Sequence, residues 1–148
     1  MIMFDFKSAF QLTTHSKLLE SFSSVGVGPK LIEWIRSFLS ERTFRVSVNE
    51  SLSSVARITS GTPQGTILGC LAYVIYTNSI KDALPDGVAY KVYADNTKIY
   101  ARVNEAADHR KLQGAIDDFL RWTKSLDLIL SVERCLVMHC GRKNQRRV

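Results

Sequence analysis

Asp5 and Asp95 are the residues whose setting is hardest to reconcile with an ordinary surface. Asp5 stands between Phe4 and Phe6 in a strand-like run, and Asp95 follows Tyr93 and Ala94 at the end of another. A carboxylate in such company, once buried, either finds a partner or takes up a proton. If the two runs lie side by side, both carboxylates can reach the same divalent cations, the arrangement that two-metal nucleotidyl transfer needs. The alternative is two strand-end aspartates that face water or pair separately with a nearby Lys or Arg. A second candidate is Gly61-Thr62-Pro63-Gln64-Gly65, which offers backbone N–H groups, a rigid bend and an amide donor ahead of a helix, and so suits a phosphate backbone or a base. It reads equally as a tight loop with glycines placed for positive φ. It is not a phosphate-binding P-loop, because no Gly-Lys-Ser/Thr follows. Phe10 could wall a nucleotide pocket or simply enter the core. Cys135, His139 and Cys140 lack a fourth ligand nearby and are not read as a metal site. His15 and His109 read as ordinary surface or cap residues.

The elements that must position these residues follow from periodicity. Ile2 to Phe6 reads as a strand. From His15, apolar residues at Leu18, Leu19, Phe22 and Val25 recur with helical spacing until Gly26 and Gly28, and Pro29 opens a second helix carrying Leu31, Ile32, Trp34, Ile35, Phe38 and Leu39. Thr43 to Val48 alternates, and Asn49-Glu50 turns it into Ser53 to Ile58, a hairpin with Phe44, Val46 and Val48 on one face. The 60–65 loop feeds a helix from Thr66 to Asn78 that is apolar enough to be well buried. Pro85-Asp86-Gly87 marks a turn before a second hairpin, Val88 to Tyr93 and Lys98 to Val103, with Ala94 to Thr97 at its tip. Glu105 to Leu126 is the longest helix, with Asn104 as its N-cap, and Leu128 to Val132 and Cys135 to His139 are short closing β segments. This order predicts an α+β fold, with helices packed on one face of a largely antiparallel sheet.

Composition narrows the function classes. The chain has 148 residues, 45% hydrophobic and 23% charged, which suits one globular domain and argues against disorder. No apolar run approaches the roughly 18 residues that span a bilayer, and Asp5 interrupts the opening apolar stretch too early for a signal peptide. Membrane insertion and secretion are therefore not expected. The 3 cysteines include no CxxC, which fits an intracellular, reducing setting better than a disulfide framework. A net charge of +6 favours a polyanionic partner, and Arg142, Lys143, Arg146 and Arg147 concentrate basic charge in a short tail, residues 142–148.

Taken together the motifs carry a resemblance. Asp5-Phe6-Lys7-Ser8-Ala9-Phe10, then Ser60-Gly61-Thr62-Pro63-Gln64-Gly65-Thr66-Ile67-Leu68-Gly69, then Tyr93-Ala94-Asp95-Asn96-Thr97-Lys98 resemble, in order and spacing, the palm of reverse transcriptases. The likeness is to non-LTR retrotransposons (LINEs) of the jockey-like and chicken-repeat type, whose motifs read D-F-S-K-A-F-D, S-G-V-P-Q-G-S-V-L-G-P and F-A-D-D-T-K. His15-Ser16-Lys17-Leu18-Leu19 stands where the first motif continues as S-H-x-x-L, and Leu128 to Gly141 looks like the fourth motif. The resemblance implies a polymerase palm over residues 1–141 with RNA-directed DNA polymerase activity. It implies Mg²⁺ (or Mn²⁺ in its place) as cofactor, and an RNA template, a DNA primer and dNTPs as partners. It makes Asp5 and Asp95 the metal-binding carboxylates and the backbone carbonyl of Phe6 a further ligand. Phe10 would lie under the sugar of the incoming nucleotide, Gly61, Pro63, Gln64 and Gly65 would line the template and nucleotide pocket, and Arg134 would sit near the triphosphate.

Departures from the pattern bear on activity. Asn96 stands at the family's second aspartate, so the catalytic set Asp5, Asp95 and Asn96 would hold two carboxylates rather than three. Gln11, Cys70, Ser79, Ser131 and Arg134 also differ from the family's residues, and an arginine donates a proton poorly where a lysine could. The family's fingers and thumb are absent from this stretch. The expectation is a palm fragment with weak or no polymerase activity alone, against a non-catalytic nucleic-acid-binding remnant or a decayed retroelement reading frame.

Overall fold

A computed structural model describes residues 1–141, so the basic tail lies outside the described residues. The elements run β1 (Ile2–Asp5), α1 (Ala9–Leu12), α2 (His15–Ser24), α3 (Pro29–Leu39), β2 (Thr43–Phe44), β3 (Ser47–Val48), β4 (Ser51–Leu52), β5 (Ala56–Arg57), α4 (Ile67–Thr77), α5 (Ile80–Ala83), β6 (Ala89–Tyr93), β7 (Asn96–Tyr100), α6 (Ala106–Ser125) and β8 (Leu136–Val137). They form two compact units, one of Met1–Ala9 with the chain from Ser79 onward, the other of Phe10–Asn78.

The first unit is built on a 4-stranded sheet in the order β6-β7-β1-β8, antiparallel at every pairing. Strand side chains alternate between faces, so Phe4 and Phe6 point together and Asp5 points the other way. The face bearing Phe4 and Phe6 is covered by α6: Phe119 stacks 4.6 Å from the ring of Phe4 and 6.1 Å from that of Phe6, with Trp122 at 5.6 Å. Ala115, Phe119, Trp122 and Thr123 are the buried residues of α6, one stripe at helical spacing. Thr97 and Ile99 of β7 are also buried, and Trp122 donates its indole N–H to Ser79 Oγ at 2.9 Å.

Some expectations shift here. The N-cap of α6 is Glu105 rather than Asn104, because the Asp108 carboxylate reaches back to accept the N–H groups of both Glu105 (3.1 Å) and Asn104 (2.7 Å). Those two backbone bonds hold the Asp108 carboxyl below the usual aspartate range. The second hairpin is tighter than its sequence suggests, since β7 already begins at Asn96. Val132 to Arg134 form a 3₁₀ turn rather than a strand end, leaving Leu130 a single bridge to Phe6.

The second unit packs α2 against α3 and α4. Leu18, Leu19 and Phe22 of α2, Ile35 and Leu39 of α3, and Ala72, Tyr73 and Tyr76 of α4 are all buried. The first hairpin forms in two short pieces, β2 with β5 and β3 with β4, closed at Asn49-Glu50, where both residues take positive φ. Phe44, Val46 and Val48 remain about half exposed. Helix α4 is not well buried, contrary to its composition: Ile67 is 92% exposed, and Leu71 and Val74 also face outward. One face of α4 meets α2, and the other carries apolar residues with no cover among the described residues.

Candidate functional site

The alternation that sends Phe4 and Phe6 under α6 sends Asp5 to the open face of the sheet. Register sets what it meets there: Asp5 is directly opposite Asn96 of β7, and Asn96 is in turn opposite Tyr93 of β6. A pairing of Tyr93 with Asn96 leaves Ala94 and Asp95 as a two-residue turn. Ala94 takes φ +51°, a conformation such turns usually assign to glycine, so the turn holds Asp95 with local strain. Asn96 donates its amide N–H to Asp95 Oδ1 at 3.2 Å. Asp5, Asp95 and Asn96 are thus gathered at one end of one sheet. Among the described residues no third His, Cys, Asp or Glu joins them into a cluster that could hold a metal.

Asp5 has a specific environment. Its side chain is 15% exposed, and its Oδ1 is buried with no hydrogen-bond donor among the described residues; Arg134 Nε lies 3.3 Å from that oxygen without hydrogen-bond alignment. Arg134 Nε donates instead to Ser131 Oγ at 2.9 Å, and the Ser131 hydroxyl donates to Glu133 Oε1 at 2.8 Å, with Lys7 Nζ 3.5 Å from the same carboxylate oxygen. The Glu133 carboxyl is held below its usual range, first by its own backbone N–H, then by the Ser131 hydroxyl, with Lys7 adding to both. The backbone is stitched as well: Ser131 N–H donates to Asp5 O and Lys7 N–H to Ile129 O, each at 2.8 Å. That bridge uses the groups flanking Phe6 and leaves the Phe6 carbonyl out. The sequence marks Ser131 only as a departure from the family pattern, and gives neither Lys7 nor Glu133 a role at the site. Their signal was the short polar run Ser131-Val132-Glu133-Arg134, but more than a hundred positions separate it from Lys7.

The remaining candidates lie in the second unit. The 60–65 loop is tied down by the segment before α2: Gly61 N–H donates to Thr13 O (2.7 Å), Thr62 N–H to Phe10 O (2.8 Å) and Ser60 Oγ to Gln11 O (2.8 Å). The Gly61 and Thr62 N–H groups are therefore already bonded inside the protein, which leaves Gln64 and Gly65 as the exposed part of the loop. His15 also changes role, since its Nε2–H donates to the Gly61 carbonyl at 3.0 Å. Thr66 caps α4 and closes the loop, accepting from Gly69 N–H at 3.0 Å and donating to Pro63 O at 2.7 Å. Gly61 and Pro63 are buried, whereas Gln64 and Gly65 are exposed. Phe10 is half-buried with its ring 4.3 Å from Tyr73.

A family model described as reverse transcriptase (RNA-dependent DNA polymerase) matches residues 1–148. The chain belongs to the reverse transcriptase family. It is 30% identical over 138 residues to the RNA-directed DNA polymerase from mobile element jockey of Drosophila melanogaster, covering 88% of this chain and 15% of that protein. It is also 30% identical over 132 residues to the probable RNA-directed DNA polymerase from transposon BS of the same organism, covering 83% of this chain and 14% of that one. The expected kinship with non-LTR retrotransposons is borne out. Against solved structures the fold matches apo telomerase from Candida tropicalis truncated from its C-terminal domain, with a TM-score of 0.66 at 16% identity over 97% of this chain and 31% of that one. The α+β fold read from the order of elements, with a largely antiparallel sheet, is the fold observed. The reverse transcriptase chain spans about 15% of the length of the curated jockey relatives, and no helix among its described residues is long and apolar enough to cross a membrane.

Proposed function

We propose that residues 1–141 are the palm of an RNA-directed DNA polymerase in which Asp5 and Asp95 hold the divalent cation of nucleotidyl transfer. The observation that carries this reading is the register of Asp5 with Asn96, which sets one carboxylate directly opposite the residue that follows the other in sequence. The donor set fits the ion. Carboxylate oxygens, the Asn96 amide oxygen and the Phe6 carbonyl are hard ligands of the kind Mg²⁺ and Mn²⁺ take. The buried Asp5 Oδ1, which lacks a hydrogen-bond donor among the described residues, is an oxygen such a cation would satisfy. When bound, the cation would neutralise triphosphate charge and make the primer 3′-hydroxyl more acidic.

The chain's own residues would do the rest. Asp5 and Asp95 fix the position of the charge, and Arg134, held by Ser131, supplies a permanent cation for the phosphates of a dNTP without acting as an acid. Taken by itself, the second unit offers the exposed Gln64 amide of its loop as a donor to nucleic acid, while the buried Gly61 and Pro63 hold the loop in place. Asn96 in place of a carboxylate, and Arg134 at 3.3 Å from Asp5, favour a second reading in which the chain binds nucleic acid without extending it. Extension of a DNA primer on an RNA template, with Mg²⁺ or Mn²⁺, separates the two. Extension abolished by Asp5→Asn and by Asp95→Asn supports the catalytic reading, and extension that survives both contradicts it. Absence of extension with retained, salt-sensitive binding supports the second.

A further inference from the structure

Beyond the acidic end of the sheet, the open face carries a second row of charge. Two residues along each strand from Tyr93, Asn96 and Asp5, the register sets Lys91 of β6 directly opposite Lys98 of β7, and Lys98 opposite Met3 of β1. All of these share the face that α6 leaves uncovered. Both lysines are exposed, and neither lies within ion-pair distance of a carboxylate among the described residues. Like charges directly opposite in a sheet destabilise it, so the pair is a standing cost to the fold. Lysine on β6 has a ready structural account, because a charged edge strand resists pairing with another sheet. That account does not reach Lys98, since β7 lies between β6 and β1 in the interior of the sheet.

We infer that Lys91 and Lys98 hold backbone phosphates of the DNA strand whose 3′ end reaches Asp5 and Asp95, an inference that rests on the proposed palm function. Neighbouring strands are about 4.8 Å apart, and two residues along a strand span about 6.8 Å. Each step of a nucleic-acid strand rises about 3.4 Å. A strand with its terminal hydroxyl at the acidic row therefore passes its last phosphates over the lysine row, with negative groups on positive ones. An anion lying on the acidic row alone would meet repulsion, so the pairing of the two rows selects a ligand with a reactive hydroxyl at one end and phosphates behind it. Tyr93, 84% exposed on the same face, offers a ring of the kind on which bases stack.

The test is fluorescence anisotropy of a labelled DNA primer annealed to RNA, measured across salt for the full chain, for Lys91→Gln/Lys98→Gln, and for Lys111→Gln/Lys124→Gln on α6. The sheet-face variant is expected to bind more weakly, with a log K against log[salt] slope shallower by about 1.4 to 1.8, two phosphates at about 0.7 to 0.9 each. Its melting temperature should not fall, because a repulsive pair has been removed, so weaker binding will not reflect unfolding. An unchanged slope, or an equal loss in the α6 variant, overturns the inference while leaving the palm reading intact. A loss confined to free dNTP, with primer binding unchanged, also overturns it. A full chain that does not bind the hybrid at all overturns both.

Discussion

Gly61 is the residue on which the second unit's loop geometry depends most sharply. It sits at φ +89°, and a Cβ added there would lie 2.9 Å from both Phe10 O and Gln11 O, backbone atoms fixed by their own bonds to Thr62 and Ser60. Gly61→Ala therefore meets two penalties. The left-handed conformation costs a non-glycine residue roughly 1 to 2 kcal/mol, and relieving the contacts must pull the loop from the segment before α2, weakening the Gly61 N–H to Thr13 O bond and the His15 bond, at about 1 kcal/mol each. The sum is about 3 to 4 kcal/mol, or close to 10 °C in Tm for a chain of this size. Gly65 is the internal control: it has a similar φ of +75°, but an added Cβ meets nothing within 4 Å, so Gly65→Ala should cost only about 1 to 2 kcal/mol. Thermal melts followed by circular dichroism, with urea titrations for ΔΔG, give the comparison. Equal losses for the two variants would mean that backbone conformation alone accounts for both and that the close contacts at Gly61 cost nothing.

Three further outcomes follow from the same geometry. Thr62 Oγ1 is buried without a hydrogen-bond partner among the described residues, so Thr62→Val should stabilise the fold by about 1 kcal/mol, checked by urea unfolding. The Asp108 carboxyl is lowered by the Asn104 and Glu105 N–H groups, so its stabilisation is full above the usual aspartate range and is lost as pH falls through its lowered value; Asp108→Asn should flatten the acid limb of a Tm-against-pH curve and leave its neutral limb shallow. Asn96→Asp removes the bond to Asp95 and sets a third carboxylate opposite Asp5, so the variant should melt lower without divalent cation, by about 0.5 to 1.5 kcal/mol, and gain more than the parent from Mn²⁺. Melts with and without Mn²⁺ check the reversal of sign.

Much of the fold was legible because the relevant signals are local. The Phe4-Asp5-Phe6 alternation already separates a helix-covered face from an open one, and the spacing of Leu18, Leu19 and Phe22 marks the buried side of α2. The reading of α4 failed because composition says how apolar a helix is but not how much cover it receives: Tyr73 and Tyr76 are buried while Ile67, Leu71 and Val74 are not. The N-cap of α6 was misplaced by one residue because the decisive group is the Asp108 side chain, three residues downstream of Glu105. At the site, the resemblance named Asp5, Asp95 and Asn96, and the register of β1 with β7 sets Asp5 opposite Asn96. The polar relay from Lys7 through Glu133 and Ser131 to Arg134 depends on how the turn after Leu130 returns to β1, a long-range juxtaposition that no local pattern records. The same holds for His15, whose partner is the Gly61 carbonyl across the loop.

Asp5 and Asp95 are proposed to form together a cation-holding site at one end of the sheet. Its most direct test is the Tm of the purified chain across a Mn²⁺ titration, beside Asp95→Asn. Ligand at about 100 times its dissociation constant adds about 2.7 kcal/mol, several degrees for a chain of this size. A saturable rise is expected in the parent chain and none in Asp95→Asn. An equal rise in both, or no rise in the parent, would contradict the proposal.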